Sequence, residues 1–139
     1  MSQIRDLSAA PTAAEEWIDD LMQRLGWRDR ERVYLAMLAT LHAIRDALPR
    51  DEAVYIGAQL PALLRGLYYE GWHPGGRGTA RGREAFLERI RDSLHHDTSV
   101  DAEQAARAVF ALLAARMPAG ELEDAKAATP KALHYLWPA

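Results

Sequence analysis

Apolar positions recur along this chain with a helical period, and Pro and Gly interrupt the pattern at regular places. From Trp17 to Leu25 the apolar residues follow one helical face, and Gly26 then supplies the left-handed residue that ends many helices. Sustained alternation of apolar and polar residues, which would indicate strands, is absent from the sequence. The pattern predicts an all-α protein of about eight helices.

Capping residues and prolines set the limits of the first four predicted helices. Thr12 and Glu15 have the spacing of a capping box, which predicts a helix start there, and Asp29 can cap the second helix. Pro49 ends the second helix, because it cannot continue one without losing a hydrogen bond. The helices are predicted from Thr12 to Leu25, from Asp29 to Leu48, between Pro49 and Gln59, and from Pro61 to Tyr69.

The second half of the chain repeats this plan at an offset of 69 residues. At that offset Pro49 falls on Pro118 and Pro61 on Pro130, and the apolar positions follow in the same register. We interpret the chain as an internal duplication of a four-helix unit. The second set of helices is predicted from Arg83 to Leu94, from Asp101 to Arg116 with Thr98 or Ser99 as cap, from Pro118 to Ala128, and from Pro130 to Trp137.

The predicted organisation has four parts: a flexible N-terminus (1–11), a first unit (12–72), a Gly/Arg-rich linker (73–82) and a second unit (83–139). We expect the two units to pack together as one domain. Absence of Cys excludes disulfides, thiolate nucleophiles and Cys-ligated zinc. The N-terminus has no secretory signal pattern and no apolar run is long enough to span a bilayer, so a cytoplasmic protein is expected.

The densest cluster of candidate binding residues follows the fourth helix. Aromatic residues beside an Arg are typical of binding hot spots. Tyr68 has a counterpart in the second unit and is assigned to the core, whereas Tyr69 and Trp72 have none. The candidate binding residues are Arg65, Tyr69, Glu70, Trp72 and His73. The alternative is that the segment packs against the first unit.

A second candidate is the basic stretch of the linker, formed by Arg77, Arg81 and Arg83. Arg side chains with backbone amides could hold an anion or touch RNA. The stretch does not match a phosphate-binding loop, which needs a preceding strand and a Lys before Ser or Thr. The net charge of −3 also argues against nucleic acid as the main partner. A solvated linker is the favoured interpretation.

Neither histidine group meets the requirements of a metal or catalytic site. His95 and His96 are adjacent at the end of the fifth helix, where they would point apart, and two further ligands would be needed. His42 and Asp46 form a pair without a nucleophile. The sequence predicts no catalytic residue, no metal and no cofactor.

One family resemblance covers the chain from about Trp17 to Trp137. The run AQLPALLRGLYYEGWHP, the preceding LHAIRDALPRDEA and the later AVFALLAARMPAGELEDAKAATPKALHYLW resemble the bacterial family known as domain of unknown function 2267. The resemblance implies an all-helical cytoplasmic protein, and it gives no indication of an activity, because none is assigned to the family. This chain departs from the family in having Arg81 and Gly82 where an acid or hydroxyl often caps the fifth helix.

These observations favour a non-enzymatic protein-interaction or scaffold module that recognises a protein partner or itself. Two alternatives stay open. The first is a binder of a small molecule or anion in the groove between the two units, where pockets commonly form. The second is a weak nucleic-acid binder that uses the linker arginines.

Overall fold

The computed structural model describes residues 2–74 and 79–139, and these form seven α-helices and one 3₁₀ helix, with no strand. The first unit contains α1 (Ser2–Leu25), α2 (Arg30–Ala47), α3 (Arg50–Ala58) and α4 (Ala62–Tyr69). The second unit contains α5 (Arg83–Ser93), α6 (Ala102–Arg116), α7 (Ala119–Ala128) and the 3₁₀ helix η1 (Lys131–Leu136). The predicted all-α class is confirmed. No helix within these described ranges is long and apolar enough to cross a membrane.

Helix stops and starts follow the predicted chemistry at most positions. Gly26 has a φ of +72°, as a left-handed stop requires, and the Asp29 carboxylate accepts a hydrogen bond from the Arg32 backbone amide. Pro49, Pro61, Pro118 and Pro130 each directly precede a helix. Gly82 precedes α5 and provides no side-chain cap.

One predicted helix start and one predicted helix cap are wrong. α1 begins at Ser2 instead of Thr12, so the segment predicted as a flexible N-terminus is helical from Ser2 and includes Pro11. Pro11 deprives the Leu7 carbonyl of its partner, but Leu7 is 75% exposed and water can replace that bond. α6 is capped by Asp101, not by Thr98 or Ser99, and the Asp101 carboxylate accepts from the amides of Glu103 and Gln104.

The core lies around α2 and α6, which pack against each other. α1 packs on α6 as well as on α2, and α5 packs on α2 as well as on α6. Each unit therefore places its first helix on the second helix of the other unit. The buried apolar residues of both units form one cluster, in which Leu41, Tyr68, Phe86 and Phe110 are fully buried. The duplication itself stays a prediction.

Candidate functional site

Arg65, the first residue of the predicted binding segment, closes the end of a helix. Its Nε donates to the Gly57 carbonyl at 3.0 Å and its Nη2 donates to the Leu60 carbonyl at 2.9 Å. Gly57 lies in the last turn of α3 and Leu60 just after that helix, where the backbone carbonyls carry partial negative charge. Arg65 is thus engaged in holding α4 onto α3.

The aromatic residues of the segment lie against α3. The Tyr69 hydroxyl donates to the Val54 carbonyl at 3.3 Å, and its ring stacks at 5.4 Å from that of Trp72. Tyr69 also passes over Gly57, where a Cβ atom would lie 2.3 Å from the tyrosine oxygen. Both rings are half-buried, so much of their surface already packs against other parts of the chain.

Glu70 and His73 are the members of the segment whose side chains reach solvent without a described partner. The Glu70 backbone carbonyl is engaged, because Arg45 donates to it at 2.8 Å. The predicted segment therefore does not converge on one pocket. It presents two exposed polar side chains beside a packed aromatic pair.

A buried arginine that the sequence analysis overlooked organises this region. Arg45 is 3% exposed and donates from Nη1 to the Tyr68 carbonyl at 2.7 Å as well as to Glu70. Its Nε donates to the Asp46 carboxylate at 2.8 Å, and Arg89 of α5 reaches the same carboxylate at 2.6 Å. This network satisfies the C-terminal carbonyls of α4 and ties α2 to the second unit.

Burial raises the pKa of Asp46, but hydrogen bonds and positive charge from Arg45 and Arg89 outweigh it, so the pKa lies below its ordinary value. Burial lowers the pKa of the neighbouring His42, whose Nε2 lies 2.8 Å from the Leu67 carbonyl. The pair noticed in the sequence therefore belongs to a structural network around the end of α4. The described contacts of His42 and Asp46 are the hydrogen bonds and the ion pair of this network.

The linker arginines are partly engaged as well. Arg77 lies outside the described residues. Arg81 donates to the Ala47 carbonyl at 2.9 Å, and the Thr79 amide donates to the Asp46 carbonyl, so together they close the end of α2. Arg83 contacts the Glu103 carboxylate at 3.2 Å and lies over the Tyr135 ring at 5.1 Å. The guanidinium groups of Arg81 and Arg83 therefore both contact groups of the chain itself, which argues against anion binding by either.

The end of α5 brings one histidine close to two acids. His95 and His96 both have positive φ values, of 54° and 55°, so the chain reverses over the last turn of the helix. This places His96 Nε2 3.0 Å from the Asp92 carboxylate and 3.6 Å from that of Glu88. Across the described ranges, no other set of three His, Asp or Glu residues has ligand atoms within 4.8 Å of one another.

A pocket of about 280 Å³ lies where the two units meet, between the start of α2 and the loop that joins α5 to α6. Leu35 of α2 is its most exposed apolar residue, at 46%, and Leu94 and Val100 line it from the second unit. We call this the inter-unit pocket. The sequence analysis allowed for a binding groove between the two units but named none of its residues, although Leu35 falls outside the apolar stripe of its helix and was an available signal.

Acidic side chains dominate the polar lining of the inter-unit pocket. Asp29, Glu31 and Asp97 contribute carboxylates, against one guanidinium from Arg32. Asp97 lies 3.9 Å from Arg32 across the pocket and accepts hydrogen bonds from the hydroxyl and amide of Ser99. The Ser99 bonds hold the pKa of Asp97 below its ordinary value. Asp97 is consequently fixed in place and ionised at neutral pH.

A wider and more open depression lies next to η1, but its cationic side chains have partners. Arg107 donates to the Tyr135 carbonyl at 3.1 Å, His134 Nε2 lies 2.8 Å from the Thr129 carbonyl, and Lys126 lies 3.8 Å from Glu123. The inter-unit pocket is the better candidate, because its carboxylates outnumber the cations that face them.

The fold and pocket define a small all-α protein in which two packed helical units flank an open acidic pocket with apolar residues in its lining. The chain belongs to the family described as "Uncharacterized conserved protein (DUF2267)", which matches residues 14–136. The resemblance drawn from the sequence is thus confirmed over nearly the whole chain. A comparison with curated proteins found no match.

Proposed function

We propose that this protein is a non-enzymatic binding protein and that its ligand is a small organic cation held in the inter-unit pocket. One observation carries the proposal: an acidic pocket with apolar lining lies at the junction of the two units. Pockets with apolar walls and a few fixed polar groups are the usual sites for small ligands. The geometry thereby favours the groove between the units over the segment from Arg65 to His73.

The charge of the pocket selects the class of ligand. Arg32 offsets one carboxylate, which leaves Asp29 and Glu31 without a facing cation among the described contacts. A positively charged group gains from these carboxylates, whereas an anion is repelled by them. Leu35, Leu94 and Val100 provide apolar contact for the rest of the molecule. An amine attached to a short apolar body fits both features.

The side chains in the pocket are not connected as a catalytic set would be. Ser93, His95 and Asp97 all line the pocket, but no hydrogen bond joins His95 to either of the others. Asp97 instead accepts both hydrogen bonds from Ser99. Nucleophilic catalysis needs a base in hydrogen-bond contact with the nucleophile and oriented by a third group. This supports binding rather than acyl transfer.

The test is a titration of the full chain followed by amide chemical shifts in NMR. Phenethylamine and butylamine serve as probes, and phenylacetate and butyrate as matched anions of similar shape. We expect the amines to shift the resonances of Leu35, Leu94 and Val100, and the acids to leave them unchanged. Glu31→Gln should weaken amine binding by about fivefold, because one charge at close range in water contributes about 1 kcal/mol.

A matched control separates the pocket from general charge effects. Glu16 is an exposed acid on α1 that does not line the pocket, so Glu16→Gln should leave amine binding unchanged. Equal shifts from amines and acids, or equal weakening by the two Gln variants, would show that the pocket does not select cations. The proposal would then be wrong.

A second candidate, a protein-interaction surface on α3 and α4, is favoured by a separate observation. Val54 and Leu63 are exposed at 45% and 42%, and Val54 adjoins the Tyr69 and Trp72 pair through its carbonyl. Exposed aliphatic side chains beside aromatic rings are common in protein interfaces. The described linker arginines, by contrast, add no support for nucleic-acid binding, because Arg81 and Arg83 are engaged within the chain.

A further inference from the structure

We propose that Glu88, Asp92 and His96 at the end of α5 form a binding site for a divalent transition metal such as Zn²⁺. The sequence analysis found no metal site, because two adjacent histidines point apart and further ligands were not evident. The structure supplies those ligands from the helix itself and uses only one of the two histidines. The site is separate from the inter-unit pocket and does not depend on its function.

The spacing of the ligand atoms is close to what a metal requires. His96 Nε2 lies 3.0 Å from the Asp92 oxygen and 3.6 Å from the Glu88 oxygen, and all three lie within 4.8 Å of one another. Tetrahedral ligands with bonds of about 2.1 Å to zinc are separated by about 3.4 Å. Small side-chain rotations would therefore bring the three atoms onto one ion.

Backbone geometry explains why His96 faces the two acids. Glu88 and Asp92 are four residues apart on one face of α5, and His96 would follow them if the helix continued. The helix ends at Ser93, but the left-handed conformations at His95 and His96 bring the chain back. The His96 amide donates to the Arg91 carbonyl at 2.8 Å, which fixes the backbone that carries the imidazole.

The electrostatic surroundings also suit a cation. The C-terminal end of a helix carries partial negative charge from its free carbonyls. Arg91 reaches the other oxygen of Glu88 at 3.4 Å, so Glu88 keeps Oε1 directed toward His96. Such outer contacts orient metal ligands and tune their affinity. All three ligands are exposed, which leaves room for water to complete the coordination.

The ligand set determines which metals are expected. One imidazole nitrogen with two carboxylate oxygens suits Zn²⁺, Co²⁺ and Ni²⁺, whereas Mg²⁺ prefers oxygen ligands alone. We therefore expect zinc to bind at least about tenfold more tightly than magnesium. Co²⁺ provides a spectroscopic substitute, because its visible absorption depends on the ligands around it.

The experiment is isothermal titration of Zn²⁺ into the untagged, metal-free full chain, with Co²⁺ absorption as an independent measurement. His96→Ala should weaken zinc binding by at least about tenfold, since it removes the one nitrogen ligand. Asp92→Asn should also weaken it and alter the Co²⁺ spectrum without disturbing the left-handed turn. His95→Ala is the matched control, because His95 has the same backbone conformation but is not a ligand.

Binding by the wild type that is reduced in both ligand variants and retained in His95→Ala would support the proposal. Three results would overturn it: no zinc binding by the wild type, unchanged binding in Asp92→Asn, or equal loss in His95→Ala and His96→Ala. Circular dichroism of each variant identifies any that fail to fold. If His96→Ala is among them, Asp92→Asn decides the question, because its backbone is unchanged.

Discussion

Gly57 provides a sharp test of how α3 and α4 pack. A Cβ atom at Gly57 would lie 2.3 Å from the Tyr69 hydroxyl oxygen, 2.7 Å from Tyr69 Cζ and 3.1 Å from a ring carbon of Tyr68. The first two distances are shorter than atoms can approach, so Gly57→Ala must displace Tyr69. Tyr69 cannot move freely, because its ring contacts both Tyr68 and Trp72.

Two opposing terms set the size of the effect. Ala is favoured over Gly inside a helix by about 0.5–1 kcal/mol. Overpacking of this kind costs about 1–3 kcal/mol. We expect the clash to prevail and Gly57→Ala to lower the free energy of unfolding by about 1–2 kcal/mol.

Gly66 offers a matched control in the neighbouring helix. It lies inside α4, and an added Cβ would meet no atom within 4 Å. Gly66→Ala should therefore raise the free energy of unfolding by about 0.5–1 kcal/mol. In a chain of this length, the melting temperatures of the two variants should differ by about 5–10 °C.

Urea unfolding followed by circular dichroism measures both variants, and a double-mutant cycle identifies the cause. In a Tyr69→Ala background, Gly57→Ala should become neutral or stabilising, because the two closest atoms are gone. The reasoning is refuted if Gly57→Ala is as stable as Gly66→Ala. It is also refuted if Gly57→Ala is equally destabilising with and without Tyr69.

Two further predictions concern the buried network and the exposed aliphatic surface. Asp46→Asn should lower the free energy of unfolding at neutral pH by about 2 kcal/mol, through weakened charged hydrogen bonds, while the exposed Asp51→Asn has a much smaller effect. The folded-state pKa of Asp46 is lowered, so its contribution to the free energy of unfolding is present above the ordinary pKa of about 3.9 and is lost as pH falls through the lowered pKa. The difference in stability between wild type and Asp46→Asn should therefore disappear in acid. A difference that does not change with pH would contradict this. For the second candidate function, Leu63→Glu should prevent capture of a protein partner in a pull-down, whereas the same substitution at another exposed leucine, Leu7→Glu, should not. Equal capture by both variants would show that α4 is not part of the interface.

The sequence was sufficient to predict the helices whose ends are determined by residues at those ends. Gly26, Asp29 and the four prolines before helices act through their own backbone or side chain, so their effects are visible without tertiary information. The start of α1 was missed because a capping box can form at Thr12, but the helix tolerates Pro11 where its lost hydrogen bond faces water. Sequence rules for helix ends cannot decide between a start at Thr12 and a helix that continues through Pro11.

The candidate sites were harder to predict, because they depend on contacts between distant residues. The inter-unit pocket joins Leu35 to Val100, and although Leu35 falls outside the apolar stripe of its helix, the sequence does not show which distant residues it would meet. Arg65 and Tyr69 looked like exposed binding residues because their partners, Gly57 and Val54, lie on the preceding helix. The metal-binding cluster required the left-handed turn at His95 and His96, which the residue types did not indicate.

The exchange of helix contacts between the units has a consequence for folding cooperativity. α1 packs on α6, and the Asp20–Arg116 ion pair joins these two helices. In the same way α5 packs on α2, and the Asp46–Arg89 ion pair joins them. Neither half of the chain can bury its apolar surface alone, so the cooperative unit is the whole domain. A substitution that weakens one half should therefore destabilise both to the same extent. The two halves of the chain therefore share one free energy of unfolding.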